Sequence, residues 1–66
     1  MKLIVNGESH DHKGNGTLPA LIAEAGADPE RVAIMVNGDV VRRKEFEFLR
    51  LNEGDAVEIL TFAGGG

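Results

Sequence analysis

Twice in 66 residues an apolar run closes on Val-Asn-Gly: "KLIVNG" at residues 2–7 and "RVAIMVNG" at residues 31–38. Asparagine and glycine both tolerate positive φ, and Asn-Gly after an apolar run is the strongest short signal for a two-residue hairpin turn. Two hairpins are therefore expected, and the rest of the chain has to cover them. The return strand of the first is "ESHDHK", residues 8–13. It is polar throughout and belongs at a sheet edge or in solvent. The second returns briefly through Val40 and Val41.

Between the hairpins lies one helix. "GNG" at 14–16 reads as a loop, and Thr17 as an N-cap whose hydroxyl accepts a bond from an orphan amide. Pro19 falls in the first turn, where no donor is needed. Leu18, Leu21, Ile22 and Ala25 follow the i, i+3, i+4, i+7 spacing of a single apolar face. Gly26 stops the helix, and Asp28-Pro29 lies past its end. In "EFEFLRL" the residues Glu45, Phe46, Glu47 and Phe48 alternate like a strand and equally fit a helical turn; pattern does not decide. Asn52 to Asp55 form a turn, and "AVEILTF" at 56–62 is the last strand.

A lone amphipathic helix buries its stripe most simply across one face of a small sheet. The first and last strands are strongly apolar, so they are expected as parallel neighbours at the sheet centre. The fold class is α+β, a β-grasp (ubiquitin-like) domain over residues 1–63 followed by a flexible glycine tail at 64–66.

Composition narrows the chemistry. The chain has no cysteine, which removes disulfides, thiolate metal sites and an internal persulfide. Its net charge of −4 gives no basic stripe for nucleic acid. No apolar run approaches the roughly 20 residues of a spanning helix, and "MKLIVNG" is too short for a signal peptide. A cytoplasmic protein is expected.

Strand alternation divides the last strand into two faces. Val57, Ile59 and Thr61 form one set, and Glu58, Leu60 and Phe62 the other, with the glutamate marking the second as exposed. By the same reasoning Leu3, Val5, Val32, Ile34 and Val36 face the helix. Ile4 and Met35 join Leu60 and Phe62 in an apolar patch facing solvent. Such a patch on a small domain marks a binding surface.

The sequence closes on Gly64-Gly65-Gly66. Glycines bury nothing, and ordering them costs more backbone entropy than ordering any other residue. Their merit is thinness: a glycine strand threads a cleft that any Cβ would obstruct. The reactive group would be the carboxylate of Gly66. It needs activation, most simply as an acyl-adenylate from ATP. The chain has no phosphate-cradling loop of the P-loop type, so a partner must hold the nucleotide. Residues 32–66 as a whole, with "VNGDVV", "LNEGDAVEIL" and the terminal glycines, resemble the C-terminal half of the thiamine-pathway sulfur carrier proteins (ThiS-like; ThiS/MoaD ubiquitin-like superfamily). "KLIVNGE" and "GTLPALIAEAG" fit the N-terminal half. Two features depart from the family pattern: "RRKEF" stands where proline-arginine and an aromatic are commoner, and three glycines stand where two often follow a larger apolar residue.

The resemblance implies a carrier protein and not an enzyme. Gly66 would be adenylated by an E1-like (ThiF-like) enzyme that uses ATP, with no cofactor bound by the carrier itself. The terminus would then become a thiocarboxylate with sulfur from a persulfide protein, and the sulfur would pass to thiazole synthase (ThiG-like). Gly64 and Gly65 would be the threading tail. A molybdopterin-type carrier, a ubiquitin-like modifier and a binding or assembly module with an incidental tail remain as alternatives. Whether Gly66 is a native end or one exposed by processing stays open.

Two weaker signals remain. His10 and His12 flank Asp11 on one side of the polar strand, too few ligands for a metal site, and are read as part of a solvated edge. Arg42, Arg43 and Lys44 form a basic cluster that either steers an acidic partner or is a solvated loop.

Overall fold

The computed structural model describes residues 1–62. Strand β1 (Lys2–Val5) turns into β2 (Glu8–Asp11). Helix α1 (Leu18–Glu24) follows, then a 3-10 turn, Pro29–Arg31. Strands β3 (Val32–Val36) and β4 (Asp39–Val41) form the second hairpin. A second 3-10 turn, Arg43–Glu45, leads towards β5 (Ala56–Thr61). The sheet order is β2-β1-β5-β3-β4. The β1–β5 pair is parallel, and the other three neighbouring pairs are antiparallel. This is the expected β-grasp arrangement, with the polar strand β2 at one edge and the short β4 at the other.

Both Val-Asn-Gly stretches are hairpin turns. Asn6 (φ 51°) and Gly7 (φ 83°) are left-handed in succession, as are Asn37 (φ 52°) and Gly38 (φ 87°). Positive φ at both central residues defines the turn whose twist matches that of the flanking strands.

The core lies between one sheet face and α1. Leu3, Leu18, Leu21, Ile22, Ile34 and Val57 are almost completely buried. At roughly 1.5–3 kcal/mol for each buried aliphatic side chain, this set supplies the main driving force of a chain without disulfides. No helix among the described residues is long and apolar enough to cross a membrane.

Four local expectations are corrected. Strand β2 ends at Asp11 because the chain leaves the ladder there. The His12 amide still donates to Met1 O (2.8 Å), and the Lys13 amide turns to a glutamate of α1. Thr17 is the N-cap residue of α1, but its hydroxyl accepts no cap bond; it donates to Asn15 Oδ1 at 2.7 Å. Ala25 is an exposed C-cap outside the apolar face. Gly26 (φ 73°) reverses the chain, and Ala27 packs against the core in its place. Thr61 shares the strand face of Val57 and Ile59 but is exposed, opposite Val32 at the end of the ladder.

The ambiguous segment resolves as two turns and not a strand. Phe46 is buried at the end of the Arg43–Glu45 turn, whereas Phe48 is 80% exposed. Arg43 leaves the basic cluster to bond Glu30, reaching its carboxylate (3.5 Å) and its carbonyl (3.0 Å).

Candidate functional site: the open sheet face and the clasp behind it

Strand β5 runs through the centre of the sheet and ends at Thr61, shortly before the terminal glycines in the sequence. Its alternation is as expected: Val57 and Ile59 are buried, while Leu60 (51% exposed) and Phe62 (59% exposed) face away from α1. The Phe62 amide still donates to Arg31 O at 2.8 Å, so the strand geometry continues to the last described residue. Ile4 is exposed on the same face of β1, and Met35 is half-buried on that face of β3. The four apolar residues picked from the sequence therefore share one sheet surface. Ala33, paired with Leu60, and Glu58, paired with Met35, lie between them. A shallow depression of about 600 Å³ runs between the end of β1 and β5, bordered by Ile4, Ala56, Glu58 and Leu60. Gly64, Gly65 and Gly66 lie outside the described residues.

The face is held in register by two asparagines. Where β1 turns away from β5, Asn6 takes over its pairing: Asn6 Oδ1 accepts from the Ile59 amide (2.8 Å) and Nδ2 donates to Ile59 O (3.3 Å). At the other end of β5, Asn37 Oδ1 accepts from the Ala56 amide (2.9 Å) and Nδ2 donates to Asp55 Oδ1 (3.0 Å). Each hairpin asparagine thus pairs with the backbone of β5.

Behind this strand pair, His10 and His12 meet Glu24 from the last turn of α1. Glu24 Oε1 accepts from His10 Nε2 and from His12 Nδ1, both at 2.8 Å, and Oε2 accepts from the Lys13 amide at 2.8 Å. His12 is only 2% exposed, which the reading of a solvated edge did not anticipate. Its Nε2 accepts from the Gly16 amide at 3.0 Å. A ring nitrogen accepting an amide proton carries none itself, so Nδ1 holds the proton given to Glu24. The hydrogen bonds from His10 and then His12, with the Lys13 amide assisting against burial, hold the Glu24 carboxyl down to about 2.

The three side chains offer ligand atoms within 4.8 Å of one another, a spacing that can hold a cation. The chemistry runs against it. A metal on His12 Nδ1 would move the ring proton to Nε2, where it would face the Gly16 N–H. Metal-bound histidines instead give their second N–H to an acceptor. The group is a hydrogen-bonded clasp between β2, the 13–16 loop and α1. Gly14 sits inside it: a Cβ there would lie 2.8 Å from Ala20 Cβ and 2.8 Å from His12 Cε1. Sequence reasoning missed Glu24. The available signal was an acidic residue in the last helical turn, where the helix dipole disfavours it.

A β-grasp domain with an apolar open face along its central strand defines a class: the ubiquitin-like fold. The sequence model of the ThiS family matches residues 3–66. A crystal structure of the thiamine biosynthesis protein ThiS from Geobacter metallireducens is 36% identical, superposes with a TM-score of 0.81 and covers 100% of both chains. Similarity extends to thiazole synthases from Paramagnetospirillum magneticum (38% identical) and Magnetococcus marinus (39% identical), each over 66 residues. The chain spans 20% of the length of each of these two proteins. The chain belongs to the ThiS family.

Proposed function

We propose that this chain carries sulfur for the thiazole of thiamine as a thiocarboxylate at Gly66. The observation supporting this reading is the course of β5, which presents Leu60 and Phe62 on the open face immediately before the glycine run. A partner seated on that face is positioned to receive the tail.

The chemistry begins with the Gly66 carboxylate attacking the α-phosphorus of ATP on an E1-like enzyme. An acyl-adenylate forms and pyrophosphate leaves. A persulfide sulfur on a donor protein then attacks the acyl carbon, and AMP leaves. A second thiolate cleaves the resulting S–S bond, forming a disulfide and releasing the thiocarboxylate. Thiazole synthase is the acceptor in this scheme, consistent with the likeness to two proteins of that name. This chain contributes position and access. Glycine at 64 and 65 lets the end enter a narrow channel, and the patch of Ile4, Met35, Leu60 and Phe62 supplies apolar docking area. As a carrier, it is a substrate of both enzymes.

Deletion of Gly65 and Gly66 tests the reading. The truncated chain keeps its amide spectrum and its unfolding midpoint but accepts no sulfur from the activating enzyme, ATP and a persulfide donor. Sulfur loading of the truncated chain overturns it.

A further inference from the structure

At the far edge of the sheet lies a second apolar feature that carrier chemistry does not use. A trough of about 550 Å³ runs between β4 and the segment from Glu45 to Asn52. Its base is formed by Val36, Val41 and Leu49, which are buried or half-buried. At its mouth stand Val40 (71% exposed) and Phe48 (80% exposed), the two most exposed large apolar residues described.

Charge and backbone define what fits. Asp39, Glu45 and Asp55 border the trough against one guanidinium, that of Arg50. None of these three carboxylates enters an ion pair among the described residues. Two are held by neutral donors: the Arg42 amide on Glu45, and the Asn52 amide and Asn37 on Asp55. Strand β4 is the edge of the sheet. Met35 lies opposite Val40 on one side and opposite Glu58 on the other. In an antiparallel ladder a residue bonds to one neighbouring strand only. The two-residue turn closes on Val36 and Asp39, so the peptide groups of Val40 point outward, over the trough.

We propose that this edge binds an extended segment of a partner protein carrying arginine or lysine at alternate positions. The segment adds a strand to β4 through Val40. Its long aliphatic stems lie on Phe48, Leu49 and Val41, and their cationic heads reach Asp39, Glu45 and Asp55. The trough adjoins the Asp55 end of β5, and the glycine run leaves the Phe62 end. At about 3.3 Å per residue these ends lie roughly 20 Å apart. A partner on Leu60 and Phe62 leaves the Asp55 end of the trough accessible, while Val40, opposite Met35, adjoins the open face itself.

The test is an amide-resolved NMR titration of the full chain with two blocked hexapeptides. One alternates arginine and valine; the other has glutamate in place of arginine. The arginine peptide is expected to give saturable shifts centred on Val40, Phe48, Leu49 and Arg50, and the glutamate peptide none. Phe48→Ala, and separately the Asp39→Asn, Glu45→Gln pair, weaken binding roughly fivefold or more, the scale of one or two rim charge pairs. Leu60→Ala leaves it unchanged. Because Phe48 is exposed, its variant keeps the native spectrum, which serves as the control for folding. Equal binding of both peptides, shifts centred on Leu60 and Phe62, or no saturable shift overturns the proposal.

Discussion

The side-chain amide of Asn6 pairs with the peptide group of Ile59 as the next residue of β1 would, with bonds of 2.8 and 3.3 Å. The hairpin turns sharply at Asn6-Gly7, yet β5 keeps a partner on that edge for one more residue. The strand bearing Leu60 is thereby fixed although its parallel neighbour has left.

Asn6→Ala removes both bonds and places a Cβ residue without a local hydrogen-bonding side chain at φ 51°. A loss of about 2–3 kcal/mol is expected, combining an unsatisfied backbone pair with left-handed strain. Asn6→Gly, which relieves the strain and loses the bonds, costs less. Urea unfolding of the two variants measures the difference; equal losses would show that the left-handed φ contributes nothing beyond the lost bonds.

The clasp makes stability depend on acid. The Glu24 carboxyl is held at about 2 in the folded chain against an ordinary value of 4.5. Its folded value is depressed, so its contribution is complete above pH 4.5 and is lost as the pH falls towards 2. Glu24→Gln is less stable than the parent at pH 6, and the two converge as the pH falls from 4.5 to 2. Unfolding curves across that window check this. A gap that stays constant contradicts the assignment.

Gly14→Ala forces a methyl group against Ala20 and His12, both 2.8 Å away. A destabilisation of about 1–3 kcal/mol is expected from overpacking. It should appear as a lower thermal midpoint together with shifted His12 ring resonances. An unchanged midpoint would mean that the 13–16 loop does not press on α1.

Leu60→Glu and Phe62→Ala are expected to lower affinity for the activating enzyme at least tenfold, the scale of a buried interface anchor. Both side chains are more than half exposed, so unfolding free energies stay within about 0.5 kcal/mol of the parent. Calorimetric titration beside denaturation separates the two effects. Unchanged affinity removes the open face from docking.

The parts of the fold legible in the sequence are those whose chemistry is local. Asn-Gly fixes its turn within four residues. The alternation in "AVEIL" sorts Val57 and Ile59 from Leu60 without knowledge of any neighbour. The contacts that escaped are long-range. Glu24 reaches His12 across 12 residues, and only once β2 and α1 have packed. Asn6 reaches Ile59 across 53. Glu45, Phe46, Glu47 and Phe48 alternate polar and apolar as strand residues would, which would put both phenylalanines on one face; two tight turns instead bury Phe46 and expose Phe48, and no local signal separates the cases.

The central claim concerns the carboxyl group of Gly66. Its most direct test is the intact mass of the chain after incubation with the activating enzyme, ATP and a persulfide donor. The account predicts a species heavier by the difference between sulfur and oxygen, with fragmentation placing the change at Gly66 and alkylation consuming it. An unchanged mass under conditions where the enzyme releases pyrophosphate with this chain, or sulfur found elsewhere in it, would contradict the account.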